Sequence, residues 1–191
     1  MKLRENFALV VILIVFAAMT RLIPHWPNFT AVGAMALFGG AYLSRKFAFL
    51  IPLIALFVSD LVLNNLMYAP LHPESVEGFQ IFYLDSLWIY GAFVLIVLLG
   101  QTLLKRRSIP RLAGATVLTS VSFFLITNFG VWASSVMYPK TWAGLIACFE
   151  AGIPFFWNTL AGDAFFVTVL FGGYALIAAR QQAAAQKQEA G

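Results

Sequence analysis

A guanidinium, three carboxylates and several amides lie within or beside long apolar stretches of this chain: Arg21, Asp60, Asp85, Asp163, Asn28, Asn64, Asn128 and Asn158. A charged side chain facing lipid at mid-bilayer costs about 2.5–3.5 kcal/mol, so Asp60 and Asp163 should face a protein interior or a wet cavity. With Trp132, these groups offer the donors, acceptors and ring surface of a site for a small solute. The competing reading is a structural network in which Arg21 pairs with Asp60 or Asp163 and the amides join helices. Trp26, Trp88, Trp142 and Trp157 accumulate near the same boundary as the polar groups. That suits either an interfacial belt or an aromatic-lined mouth.

Several other chemistries lack their residues. There is no G-x-x-x-x-G-K-[ST], so ATP is not bound through a P-loop, and no H-E-x-x-H. The two histidines, His25 and His72, fall in loops, which excludes a haem held by two histidines between helices. An aspartyl protease needs two carboxylates sharing a proton, and beyond Gly162-Asp163 the contexts of Asp60 and Asp163 do not match that pattern. No enzyme, cofactor or metal site is therefore expected. The lone Cys148 could ligate a metal or a cobalt-containing ligand, against the alternative of a buried bystander thiol.

The elements that must position these groups follow from composition. Of 191 residues, 61% are hydrophobic and 10% charged, and the mean hydropathy is +0.86. Soluble domains carry roughly 25% charged residues, so this chain is expected to lie in a membrane. The pI near 9.4 would suggest nucleic acid in a soluble protein; here it reads as a topology signal and contact with anionic lipid. The apolar stretches predict an all-α, polytopic bundle of six transmembrane helices, near residues 7–23, 31–43, 47–66, 84–104, 112–134 and 154–179. The second is short, and residues 138–152 have the spacing of a separate interfacial helix before the sixth. Residues 1–180 form one domain, and residues 181–191 a polar, frayed tail.

Threaded this way, Lys2, Arg4, Arg45, Lys46, Lys105, Arg106, Arg107, Arg111, Arg180 and Lys187 share one side, leaving Arg21 and Lys140 on the other. Ten against two places both termini in the cytoplasm, in an inner membrane, with the acids and amides in the outer half. The second helix carries Gly33, Ala36, Gly40 and Ser44, a smooth face for internal packing or for docking another membrane subunit.

Several segments carry a resemblance: Pro27-Asn28-Phe29-Thr30, Gly33 to Ala41, Ile126-Thr127-Asn128-Phe129-Gly130-Val131-Trp132-Ala133, Tyr138-Pro139-Lys140-Thr141 and Asn158-Thr159-Leu160-Ala161-Gly162-Asp163. They resemble a family of uncharacterised bacterial membrane proteins described as transport proteins. Size, topology and the outer polar pocket also resemble the substrate-binding S-components of energy-coupling-factor (ECF) vitamin transporters. That resemblance implies capture of a vitamin, a precursor or cobalamin from outside, with release by a coupling transmembrane subunit and ATPases. The first helix offers only Ala8, Ala17 and Ala18 as small residues, a departure from the S-component pattern. The rival expectations are a membrane scaffold or assembly subunit, and an outer-leaflet enzyme using Asp60 and Asp163.

Overall fold

The computed structural model describes residues 6–71, 78–83 and 86–189. Every regular element among them is helical. We label them α1 (Phe7–Thr20), α2 (Val32–Tyr42), α3 (Arg45–Leu71), α4 (Ser86–Leu103), α5 (Ile109–Ser134) and α6 (Trp142–Gln188). The last four are long and apolar enough to cross a membrane, while α1 and α2 are shorter apolar helices.

The shortest helix is the centre of the fold. α2 packs against all five others, most extensively against α4. Every residue from Val32 to Gly40 is buried, as expected of a helix that is hydrophobic all round. Two close approaches make this possible. A Cβ at Gly40 would strike the backbone of Val97 and lie 3.1 Å from Gly100 Cα, and a Cβ at Gly100 would lie 3.1 Å from Gly40 Cα. α2 and α4 therefore touch backbone to backbone. Gly33, Ala36 and Gly40 are spent on this interior, so the smooth face is internal packing and not a surface for another subunit. Only Ser44, at the exposed start of α3, lies outside it.

The break expected at Pro154 is absent. α6 runs unbroken through Pro154 from Trp142, so residues 138–152 hold no separate interfacial helix. Proline inside a helix costs about 3 kcal/mol, but α6 packs on α5 on both sides of it, through Gly152 against Asn128 and through Asp163 on Ser120. That shared interface favours continuing the helix across Pro154. Nor is the tail frayed. The helix passes a π-turn at Thr168–Gly172 and continues as Gly173–Glu189, a stretch rich in strong helix formers. α3 likewise extends past its expected end through a π-turn at Leu63–Tyr68. There Asn65 bonds Leu61 O at 2.9 Å and Gln80 O at 2.8 Å, tying in the following loop.

At one end of the bundle the loops after α2 and α4 meet. Arg107 donates to Ala41 O at 2.9 Å and lies 4.0 Å over the Tyr42 ring. Arg45, Lys46, Lys105 and Arg106 are exposed beside it. The polar groups of interest lie toward the opposite end.

Candidate functional site

The site is built from an ion pair, a buried carboxyl group and a turn. Arg21 follows the last turn of α1 and reaches across to α3, where its guanidinium meets Asp60 at 2.7 Å. It also donates to Ser59 Oγ and, at 3.4 Å, to Leu56 O. From α4, Tyr90 donates its hydroxyl to the other Asp60 oxygen at 2.9 Å. Asp60 is thus held from two sides. Arg21 Nε is buried with no partner among the described residues.

The second centre is Asp163 on α6, with 2% of its surface exposed. Its carboxylate accepts from Ser120 Oγ of α5 at 2.7 Å and from the backbone N–H of Ala34. Ala34 lies in the first turn of α2, whose N-cap, Ala31, offers no side-chain bond. The first N–H groups of a helix lack internal acceptors and favour negative charge. Asp163 supplies from a neighbouring helix the cap that α2 does not carry. Gly33 makes room for it, since a Cβ there would collide with the Asp163 carboxylate and the Thr119 methyl.

The turn before α2 joins these centres to the surface. Asn28 has φ 63, a left-handed conformation that Asn tolerates better than most residues. Asn158 of α6 donates to Pro27 O at 3.0 Å and pins the turn. Gly162 lets it lie close, as a Cβ there would come within 3.0 Å of Thr30 N. Phe29 packs its ring on Phe165 and Phe166, with centroids 5.8 and 5.9 Å away.

Two neighbouring cavities result. The inner one, about 140 Å³, is lined by Arg21, Asp163, Thr30 and Gly33. The outer one, about 400 Å³, has aromatic walls from Phe124, Phe155 and Phe156, with Thr127, Asn128 and Tyr138 as polar groups. Asn28, Ile89, Phe123 and Thr159 line both. An aromatic chamber and a small polar niche therefore lie side by side and share part of their walls.

Four of the expected residues meet here: Arg21, Asn28, Asn128 and Asp163. Asp60 stands behind Arg21 as its counter-ion. Asn158 holds the turn from outside the cavity walls. Trp132 fastens the turn after α5, donating to Pro139 O at 3.0 Å, and it accepts at its own carbonyl from Lys140. Asn64 lies in the α3 π-turn, away from both cavities. Asp85, with His72, Glu74 and Glu77 of the preceding loop, falls outside the described residues. Cys148 is buried on the chamber wall with its thiol 3.4 Å from Asn128 O. No group of three or more His, Cys, Asp or Glu that could hold a metal occurs among the described residues.

Residues 1–186 match DUF6580, a family of unknown function. The chain belongs to this family. No curated protein and no solved structure matches it. Ser59, Tyr90 and Ser120, hydroxyl groups that complete the two centres, do not stand out in the sequence as site residues. Thr116 and Ser120, four apart on one face of α5, are the readable signal for Ser120.

Proposed function

We propose that this DUF6580 protein captures a small amphipathic solute from outside the cell, as the binding component of an uptake system rather than as an enzyme. One observation carries the reading: an aromatic chamber of about 400 Å³ adjoins, across shared walls, a polar niche of about 140 Å³ lined by Arg21 and Asp163. Binding sites for small molecules span about 300–1,000 Å³, mostly apolar with a few placed polar groups. A vitamin or vitamin precursor has that size and that mixture of surfaces.

The reading includes a topology. All six helices cross or enter a bacterial inner membrane, with both termini and the Arg45–Arg107 end in the cytoplasm and the chamber facing outward. The excess of Lys and Arg at one end supports this orientation. The S-component likeness implies release inward through a coupling subunit and ATPases, which fits the missing P-loop. With the small-residue face of α2 buried, such a subunit would dock elsewhere.

A thermal-unfolding screen of the purified protein against vitamins and their precursors tests the reading. A true ligand at a hundred times its Kd adds about 2.7 kcal/mol of stability. No shift across a broad panel at millimolar concentration would refute solute capture. The scaffold reading would then take over, supported by the Arg21–Asp60–Tyr90 network, whose bonds are all internal.

A further inference from the structure

We infer that Asn28 is the residue that selects the solute, and that it selects an uncharged polar group carried on a planar ring. This rests on the solute-capture reading and names both the specificity residue and the class of ligand it accepts. Three observations converge on it.

The backbone at Asn28 is the first. Phe29 N–H donates to Trp26 O at 3.0 Å, closing a turn with Pro27 second and Asn28 third. A left-handed residue is needed at that third position, and Gly fills it most readily. Asn28 takes the conformation at φ 63. Other groups hold the turn: Asn158 on Pro27 O, Gly162 beneath Thr30, and the Phe29 ring on Phe165 and Phe166. The Asn28 side chain itself is exposed and makes no hydrogen bond among the described residues. Glycine would meet the needs of the fold alone, so the amide has no structural task in the turn.

Its position is the second. Asn28 lines both the chamber and the niche, so its side chain borders a solute held in either space. Most other polar groups on the chamber wall are already engaged. Thr127 and Thr159 donate to carbonyls of their own helices at 2.8 and 3.0 Å, and Asn128 donates to Phe124 O at 2.8 Å. The Asn128 oxygen is packed against Gly152. Asn28, together with the Tyr138 hydroxyl, keeps its donor and acceptor capacity for whatever enters. A bound solute then supplies partners in place of water.

The charge of the chamber is the third. No Asp, Glu, Lys, Arg or His lines it, so a charged group held there would lose water and gain no counter-ion, which is costly. The cation on the niche wall, Arg21, is already paired with Asp60 at 2.7 Å. An uncharged amide, hydroxyl or carbonyl avoids that cost and pairs with the Asn28 amide, which both donates and accepts. The Phe walls add offset or edge-to-face contacts that favour a planar ring.

The test uses the full chain in detergent with naphthamide as the uncharged probe, and naphthoate and N-methylquinolinium as charged probes of similar ring size. Thermal unfolding reads stability, and Trp fluorescence reads binding. Naphthamide is expected to bind most tightly of the three. Asn28→Gly should leave the Tm of the unliganded protein close to the wild-type value, because Gly suits the left-handed turn. The same variant should weaken naphthamide about tenfold through the lost hydrogen bonds. Asn28→Asp keeps the shape and tolerates the same backbone but adds a negative charge, so N-methylquinolinium should overtake naphthamide. Equal affinity of naphthamide for the wild type and Asn28→Gly, or a large fall in Tm in that variant, overturns the role of Asn28. Tighter binding of either charged probe to the wild type overturns the ligand class. Silence from all three probes while a vitamin binds also overturns the inference, and each of these results leaves solute capture standing. Silence from the probes and from the vitamin screen together overturns both.

Discussion

Replacing Asp60 by Asn removes one charge from a pair that is mostly out of solvent. The side chains of Arg21 and Asp60 are 13% and 22% exposed, and the charged atoms lie 2.7 Å apart. At an effective dielectric constant of about 20, that separation gives roughly 6 kcal/mol of attraction; in bulk water it gives about 1.5 kcal/mol. Desolvation of both ions cancels part of the larger figure. Removing one member of a buried pair nonetheless costs about 3–5 kcal/mol, because the other charge is stranded. Asp60→Asn is therefore expected to destabilise the protein by about 3 kcal/mol or more. Arg21→Met should cost a similar amount, since Asp60 would keep only Tyr90. The double variant Arg21→Met/Asp60→Asn strands no charge and should recover much of the loss. Unfolding in mixed micelles, run as a double-mutant cycle, reads the coupling directly. A coupling energy below about 1 kcal/mol is what an exposed pair shows. That result would mean that water reaches the guanidinium freely, and it would refute the picture of a closed polar floor.

Three further outcomes follow from the same geometry. Gly40→Ala should destabilise by about 1–2 kcal/mol, overpacking against Val97 and Gly100 outweighing the gain in helix propensity. Gly114→Ala, with open space around its new methyl, should stabilise by up to about 1 kcal/mol; equal effects in micelle unfolding would discount the α2–α4 contact. Asp163→Ala removes the cap of α2 and leaves the Ser120 hydroxyl with only its bond to Thr116 O at 3.2 Å, for an expected loss of about 1–2 kcal/mol. Asp163→Asn should be milder, and a loss below about 0.5 kcal/mol for the Ala variant would show that the cap is dispensable. In a Cys148→Ala background, a membrane-impermeant maleimide should label Trp26→Cys in intact cells but label Ile109→Cys only after lysis; the parent residues are 73% and 85% exposed. The reverse pattern would invert the topology.

The long helices were legible because their signals are local. Apolar runs end at Arg45-Lys46, at Lys105-Arg106-Arg107 and at the Pro-rich turn before α2, and the helices of the structure end or begin near those marks. The continuity of α6 was not legible. Pro154 and Gly152 are breakers by propensity, and the α5 surface that overrides them is remote in sequence. The polar residues were recognised as a group, but not sorted. Arg21 and Asp60 are 39 positions apart, and which of two carboxylates Arg21 would choose depends on how α1 and α3 cross. Asp163 was free to be a cap only because α2 begins at Ala31 without one, a relation between two helices that no window along the chain contains.

α6 has one more property, which comes from its length. At 47 residues and a rise of 1.5 Å per residue, Trp142–Gln188 is about 70 Å long, against roughly 40–45 Å for a whole bilayer with its headgroups. One rod therefore carries the cavity wall at Thr159 and Asp163 and also the far tip beyond Arg180. The π-turn at Thr168–Gly172, followed by Gly173, is its natural joint, and from there to Gln188 is a lever arm of about 24 Å. Bending that joint by about 10° would swing the tip by about 4 Å, given that arm. A bend at that joint would therefore displace the tip beyond Arg180 relative to the cavity wall at Thr159 and Asp163.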